Sequence, residues 1–573
     1  MLKQIAATLT LRFPYRLQRC GLLLLWMSML GGLWTVRAQE DLGPPDLPAM
    51  QTLRDNYGWG AAFGWGNTNP CPQVGANWSG ASCSLGRVDK IVADCGAIKL
   101  TTAFPAELGI LTGMRDFNLR HCYTDSANPV AATAALGQLP RLTRVALNGN
   151  TALTGTITDL FPNSLPALFN SLMLNNTGLT GSIPAYIVQR NSSTVISLNQ
   201  SHFSGMLPPT GNSSKNLNLA GNALEGTLPD YIVNATASII LKVSYNKFDV
   251  VNTPAGNIDS LDPGWRNTQT VPPTNVQVSA AGAGSAALSW TPIGYTGDGG
   301  YYEVLSSLAP GGPYTLRGTT ANSGGKTATG LTVAGLPGGT NYFVVRTFTP
   351  AHVSGPASST NTRDNPNNLT SVNSAETSAL VCVSNPLVTN TNDSGAGSLR
   401  DAIAIACAGN TITFNIPTSD PGYNAGTGRY TITLTSGELV INKSLTIQGP
   451  GANVLTVQRN SSAGMFRIFT VTATTTAHLR GLTISGGRTG GGFDGDNGGG
   501  IHNSAMLRLD GVAVSGNATG NGNSSFASAG AGGRGGGIYS SGTLTIVNSV
   551  ISGNATGNGG NTEYAVGGAG GSG

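Results

Sequence analysis

The side chains best suited to bond-breaking chemistry are carboxylates scattered through the last third of the chain: Asp393, Asp401, Asp420, Glu438, Asp494, Asp496, Asp510 and Glu563. Cleaving a glycosidic bond takes two carboxyl groups facing one linkage. Most of these stand alone, and no pair recurs at equivalent places of neighbouring repeats. Asp494-Gly495-Asp496-Asn497-Gly498 sets oxygen ligands at alternating positions, as calcium loops do, but lacks the distant Glu that completes them. A solvated turn is the expectation there. His121, His202, His352, His478 and His502 are single; His478 or His502 could act as a base, yet no Ser, His and Asp stand at a recognisable spacing. No catalytic, cofactor-binding or metal-ligating residue is therefore assigned.

Cysteine is the other reactive type. Cys20 precedes an apolar run, which leaves an even set: Cys71, Cys83, Cys95, Cys122, Cys382 and Cys407. No CxxC pair occurs, so disulfides are expected rather than structural zinc. Export is read from the first 38 residues, where Lys3, Arg12, Arg16, Arg19 and Arg37 stand without an acid around an apolar run from Leu22 to Val36. Val36-Arg37-Ala38 puts small residues at the places required for cleavage after Ala38. The run is short for a membrane span, so residues 1–38 are expected to be a signal peptide, with an uncleaved anchor as the alternative. No membrane insertion of the mature chain is expected. Losing five cations takes the charge balance from 31 against 27 to 26 against 27, which removes the basic excess that nucleic acid or anionic lipid would need.

These groups must be positioned by a long, weakly charged chain. Its 573 residues exceed what one core serves. With 10% charged residues, 81 Gly and 30 Pro, it favours turns and strands over long helices. The expected class is multidomain and mainly β, in three units.

The first unit, roughly 40–262, is carried by a recurring pattern. Leu142-x-x-Val145-x-Leu147-x-x-Asn150 is followed by Leu172-x-Leu174-x-x-Thr177, Ile196-x-Leu198-x-x-Ser201, Leu217-x-Leu219-x-x-Asn222 and Leu241-x-Val243-x-x-Asn246. Spacings of 27, 24, 21 and 24 between the second apolar residues suit a leucine-rich repeat solenoid; rungs at Ile91 and Phe117 are weaker. The Asn side chains are expected to hydrogen-bond backbone groups at the bend, and Thr177 and Ser201 to do so in part. Trp65, Cys71-Pro72, Trp78-Ser79-Gly80, Cys83 and Gly86-Arg87-Val88 resemble the amino-terminal cap of plant-type leucine-rich repeat proteins. The resemblance implies a Cys71–Cys83 cap disulfide, leaving Cys95 and Cys122 for a second bridge. It also implies binding of proteins, peptides or glycans on the strand face, where Arg144, Ala146, Ser171, Met173, Ser197, Asn216, Asn218 and Lys242 project. They show little charge and no aromatic cluster, so the ligand-binding residues remain unknown from sequence.

The second unit, roughly 270–363, opens with Val271-Pro272-Pro273-Thr274-Asn275-Val276-Gln277-Val278 and continues in short strands between Gly-rich turns. Trp290 on an early strand, and Leu336 followed by Tyr342-x-Val344-x-Arg346, resemble fibronectin type III. That resemblance makes Trp290 core filler and the Tyr342 hydroxyl a backbone tether. Residues 364–377 read as a polar linker.

From 378 to 573, Gly397-Ser398-Leu399-Arg400-Asp401-Ala402-Ile403 suggests a short helix that plugs a solenoid end, with Cys382 and Cys407 close enough to staple it. Strand-like stretches follow at short spacing. Gly498-Gly499-Gly500-Ile501 recurs as Gly535-Gly536-Gly537-Ile538, and Ser515-Gly516-Asn517-Ala518-Thr519-Gly520 recurs as Ser552-Gly553-Asn554-Ala555-Thr556-Gly557, both at an offset of 37. These elements resemble repeats of polymorphic outer-membrane-type adhesins, which implies a right-handed parallel β-helix. Because the chain stops in a Gly-rich stretch, the β-helix is expected to be incomplete at its C-terminus.

The combined expectation is an exported bacterial protein, secreted or at the cell surface, that binds an extracellular protein or polysaccharide through its leucine-rich face. The sandwich and β-helix would act as spacer and stalk. Because β-helices also house pectate lyases and polygalacturonases, a polysaccharide lyase or glycoside hydrolase is the alternative.

Overall fold

The computed structural model describes residues 46–66, 79–84, 86–96, 99–125, 130–191, 193–213, 216–236, 240–297, 299–352, 365–526, 528–563 and 565–573. The expected signal peptide, Cys71 and Trp78 lie outside the described residues.

The first unit is a coil whose strands stack in parallel. Strands Arg87–Asp94, Asp116–Arg120, Arg144–Ala146, Ser171–Met173, Val195–Ser197, Asn216–Asn218 and Leu241–Lys242 form one sheet, joined at its start by the antiparallel Ala81–Ser84. Register aligns Ile91, Phe117, Val145, Leu172, Ile196, Leu217 and Leu241 in one column, and all seven are buried. Ile91 and Phe117 therefore belong to full rungs. Their signal is faint because Cys122 stands at the offset that Asn150 fills one turn later, and its disulfide to Cys95 ties the two rungs instead. A second parallel sheet of Thr180–Gly181, His202–Met206, Ala223–Gly226 and Lys247–Phe248 runs along another side of the coil.

The Asn ladder behaves as its chemistry requires. Asn150 donates to the carbonyls of Leu119 and Leu147 while accepting from the amides of Cys122 and Tyr123. Asn222 and Asn246 repeat the arrangement. Thr177, with one hydroxyl, reaches a single carbonyl, that of Leu174, and the neighbouring Ser201 hydroxyl. Both ends of the coil are sealed by buried carboxylates. Asp46, at the start of helix Asp46–Asn56, accepts from Arg87 and the Val88 amide. Asp262 accepts from the amides of Val243 and Ser244, and Trp265 is fully buried beside it. Gln269 then takes the Phe248 amide, so the first unit extends to about residue 270.

In the second unit, Thr274–Gly282, Ser285–Thr291 and Gly330–Ala334 form one antiparallel sheet, and Thr315–Thr319, Tyr301–Ser307 and Gly339–Thr349 form the other. Trp290 is buried, with its indole N–H on the Ala328 carbonyl. The tether is not Tyr342, which is only half-buried. Tyr302 makes it: its hydroxyl accepts from the Ile293 amide and donates to the Lys326 carbonyl. The segment read as a linker is also different. Leu369–Thr370 and Thr377–Val381 pair with Gly339–Thr349, and between them the hydroxyls of Ser371 and Ser374 accept the amides of Thr347 and Val345. Hydroxyls that replace backbone pairing give this strand the composition of a loop. Asn365 and Asn367 donate to carbonyls of Asn222, Tyr245 and Ser201, which binds the second unit to the first.

From Leu387 the chain coils again, and successive turns place strands on three sheets. One contains Thr411–Phe414, Leu445–Gln448, Thr476–Arg480, Met506–Asp510 and Thr543–Val547. Another contains Arg429–Leu434, Leu455–Arg459, Thr483–Ser485, Ala513–Ser515 and Val550–Ser552, and the third contains Leu439–Ile441, Phe469–Val471, Ile501–Asn503 and Ile538–Ser540. Helix Leu399–Ile405 buries Leu399, Ala402 and Ile403 in the same core, and the Cys382–Cys407 disulfide joins its far end to the last strand of the second unit. The repeat of 37 residues is one turn: Ile501 pairs with Ile538, Met506 with Thr543 and Ala513 with Val550.

The Gly-rich stretches between these strands are ordered layers. Their backbones hydrogen-bond to one another directly, for example Gly522 to Asn558, Gly530 to Asn523, and Gly560 to Gly530. A methyl group on Gly520 would lie 2.0 Å from the Gly490 carbonyl oxygen, so only glycine permits this approach.

Candidate functional site

Most carboxylates of the third unit are engaged, each by a different partner. Asp393 binds Arg400 and the amides of Thr435 and Ser436, and Asp420 binds Thr391. Asp401 accepts from the Gly397 amide, Glu438 pairs with Arg467, and Asp510 lies 3.6 Å from both Arg480 and Arg508. Among the described residues no three His, Cys, Asp or Glu side chains gather as metal ligands. In the Asp494 to Asn497 segment, Asp494 accepts from the Ala531 amide and Asn497 from the Arg534 amide, each 37 residues on, so these oxygens align turns. Burial first, then the charges of Arg480 and Arg508, lowers the His478 pKa; burial and Arg467 do the same to His502.

Asp393 carries a pH prediction. Burial pushes its carboxyl up, but Arg400, Ser436 and Thr435 outweigh this and hold it well below the ordinary carboxylate range. A depressed acid contributes stability above its unfolded pKa of about 4 and loses it as pH falls through the folded value. The wild type should loosen around helix Leu399–Ile405 progressively as pH falls below about 4. Asp393→Asn should remove that acid step, as read by hydrogen exchange from pH 5 downward.

On the first unit, the outward face of the long sheet is the surface where side chains converge. Register sets Lys90, Asp116, Arg144, Ser171, Val195 and Asn216 in one column. Val92, Asn118, Ala146, Met173, Ser197, Asn218 and Lys242 form the next. Five of the expected residues, Arg144, Ser171, Met173, Ser197 and Asn216, are part-exposed on this face. Ala146 and Asn218 are buried, and Lys242 is held by Asp262 and the Leu261 carbonyl as part of the end seal. The early rungs add residues that the repeat pattern alone did not bring in: Lys90, Asp94, Asp116, Asn118 and Arg120.

Those additions change the character of the face. Asp94 meets His121 at 2.9 Å and Arg120 at 3.7 Å. Burial raises its pKa, but the hydrogen bond to His121 and the charge of Arg120 help outweigh it and leave the carboxyl below its ordinary value. Asp116 Oδ1, Asn118 Oδ1, Arg144 Nε and Asn148 Oδ1 are buried atoms without a hydrogen-bond partner within the described chain. The four atoms lie on adjacent rungs beneath the exposed parts of the same side-chain columns.

The fold class follows from these ladders: the first unit is a leucine-rich-repeat-like solenoid within a mainly β chain. No family model matches the chain, and no curated protein matches it. Similar solved structures include pollen receptor kinase 3, with 22% identity over 33% of this chain and 85% of that one, at a TM-score of 0.25. The BIR2 ectodomain from Arabidopsis thaliana shows 21% identity over 32% of this chain and 95% of that one, at a TM-score of 0.22. The plant peptide hormone receptor RGFR1 in complex with RGF2 shows 11% identity over 78% of this chain and 57% of that one, at 0.21. Two disulfides among the described residues suit an oxidising, extracellular setting. No described helix is long and apolar enough to cross a membrane.

Proposed function

We propose that this is an exported bacterial surface or secreted protein that binds an extracellular protein, peptide or glycan on the face of its leucine-rich coil. In this reading the second unit is a fibronectin type III-like spacer and the third a right-handed β-helix stalk, and the protein is an adhesin, not an enzyme. The observation that carries it is the in-register row of exposed and part-exposed polar side chains on that face, Lys90, Asp116, Arg144, Ser171 and Asn216. A row of charged and hydrogen-bonding groups of both signs suits a polar ligand laid across the rungs.

The test is to screen the immobilised protein against a glycan array and a displayed peptide library. Ligands enriched on the wild type should weaken about tenfold or more with Asn118→Ala or Arg144→Glu, the loss expected for a central interface residue. Enriched ligands that ignore both substitutions would move the binding site elsewhere. Release of reducing ends from any bound polysaccharide would favour the lyase or hydrolase reading.

A further inference from the structure

The third unit carries a groove of about 420 Å³ on its second sheet, lined by Gln458, Arg459, Ser461, Arg488 and the backbone of Gly486 and Gly516. Two guanidinium groups stand here with no carboxylate beside them among the described residues. Among the described arginines of the unit, Arg400, Arg467, Arg480 and Arg508 each have an acidic neighbour, while Arg429 and Arg534, like this pair, have none. Arg459 is held in place by the carbonyls of Gly486, Asn460 and Ala463, which use Nε and Nη1. Its pKa is lowered by burial and by the Arg488 charge, so the cation beside it raises the cost of its own charge. Like charges brought together on a rigid frame favour a shared anion, and the planar guanidinium fork suits carboxylate or sulfate.

The surroundings select the kind of anion carrier. None of these lining residues offers a large apolar wall, so the groove gives no anchor for hydrophobic side chains. From Gln458 a column of polar side chains continues along the same sheet: Thr433 and Gln458 are neighbours, then Ser485, Ser515 and Ser552. A parallel column holds Thr431, Thr456 and Thr483. Adjacent strands lie about 4.8 Å apart, which makes this a flat, regularly spaced row of hydrogen-bonding groups. We propose that Arg459 and Arg488 bind the acidic group of an extracellular polysaccharide, whose neutral hydroxyls run along the Thr and Ser columns. This site is separate from the face of the first unit.

Isothermal titration of the full chain with polygalacturonate, dextran sulfate and unmodified dextran tests it. Binding is expected to one or both acidic polymers and not to dextran; which acidic polymer binds distinguishes carboxylate from sulfate. Arg488→Glu, at an exposed side chain, should weaken that binding about tenfold or more without moving the melting temperature. Arg144→Glu, on the first unit, should leave it unchanged. The proposal is overturned if Arg488→Glu binds like the wild type, if dextran binds equally well, or if neither acidic polymer binds.

Discussion

Replacing Asn246 by Ala should destabilise the last rungs of the first coil by about 3 kcal/mol, the largest effect expected of any single polar side chain there. Asn246 is fully buried; its amide donates to the carbonyls of Leu219 and Val243, and its oxygen accepts the Leu224 amide. Alanine leaves those backbone groups in an apolar interior with no water to replace the bonds. Each rung shares its core with the next, so the loss should spread to the strands at Asn216–Asn218 and Leu241–Lys242. Hydrogen exchange of peptides spanning 216–248 would read it as faster opening. Thr177→Ala is the matched comparison: its hydroxyl reaches one carbonyl, that of Leu174, and the Ser201 hydroxyl, so about 1 kcal/mol is expected. Equal losses at both positions would mean that the ladder does not carry the stability assigned to it.

Gly520→Ala should disrupt the Gly-rich layers of the third unit by about 3 kcal/mol or more. The added methyl would meet the Gly490 carbonyl at 2.0 Å for oxygen and 2.4 Å for carbon. Both are backbone atoms fixed by neighbouring turns, so no side-chain rotation relieves the overlap. Phe493 and Phe526 lie exposed in this region, which makes cleavage by chymotrypsin a direct readout of loosening. Gly464→Ala is the control, since nothing lies within 4 Å of its methyl position, and it should stay within about 0.5 kcal/mol of the wild type. If Gly520→Ala melts and resists protease like that control, the layers are not packed backbone to backbone.

These two predictions differ in what made them visible. The Asn246 ladder is legible because a rung marker recurs at a constant offset from its apolar partners. The same logic exposed the turn of 37 residues in the third unit. It weakened at Phe117 because Cys122 replaced the marker. The Gly-rich stretches looked like loops because composition records the absence of side chains, not the neighbour that the absence admits.

Other differences have the same origin. Ser371 and Ser374 pair with a strand through hydroxyls, so their segment has a linker's polarity. Tyr302 rather than Tyr342 tethers the second unit because the tether depends on which tyrosine lies opposite Ile293 and Lys326 across the core. Lys242 is expected on the binding face, yet Asp262, 20 residues further along the chain, claims it for the end seal.

By itself, then, the sequence determined the repeat period, the mainly β coil, the buried columns and the polar ladder, because each depends on residues a few places apart and repeats many times. Only the tertiary structure decided which side chains meet: the face around Asp116 and Arg144, the neighbouring Arg459 and Arg488, and the stacked glycine layers. Those meetings join residues about 25 to 40 positions apart, and in a strand a shift of one residue turns a side chain to the opposite face. Their geometry is therefore set by the register between turns, which no single repeat encodes.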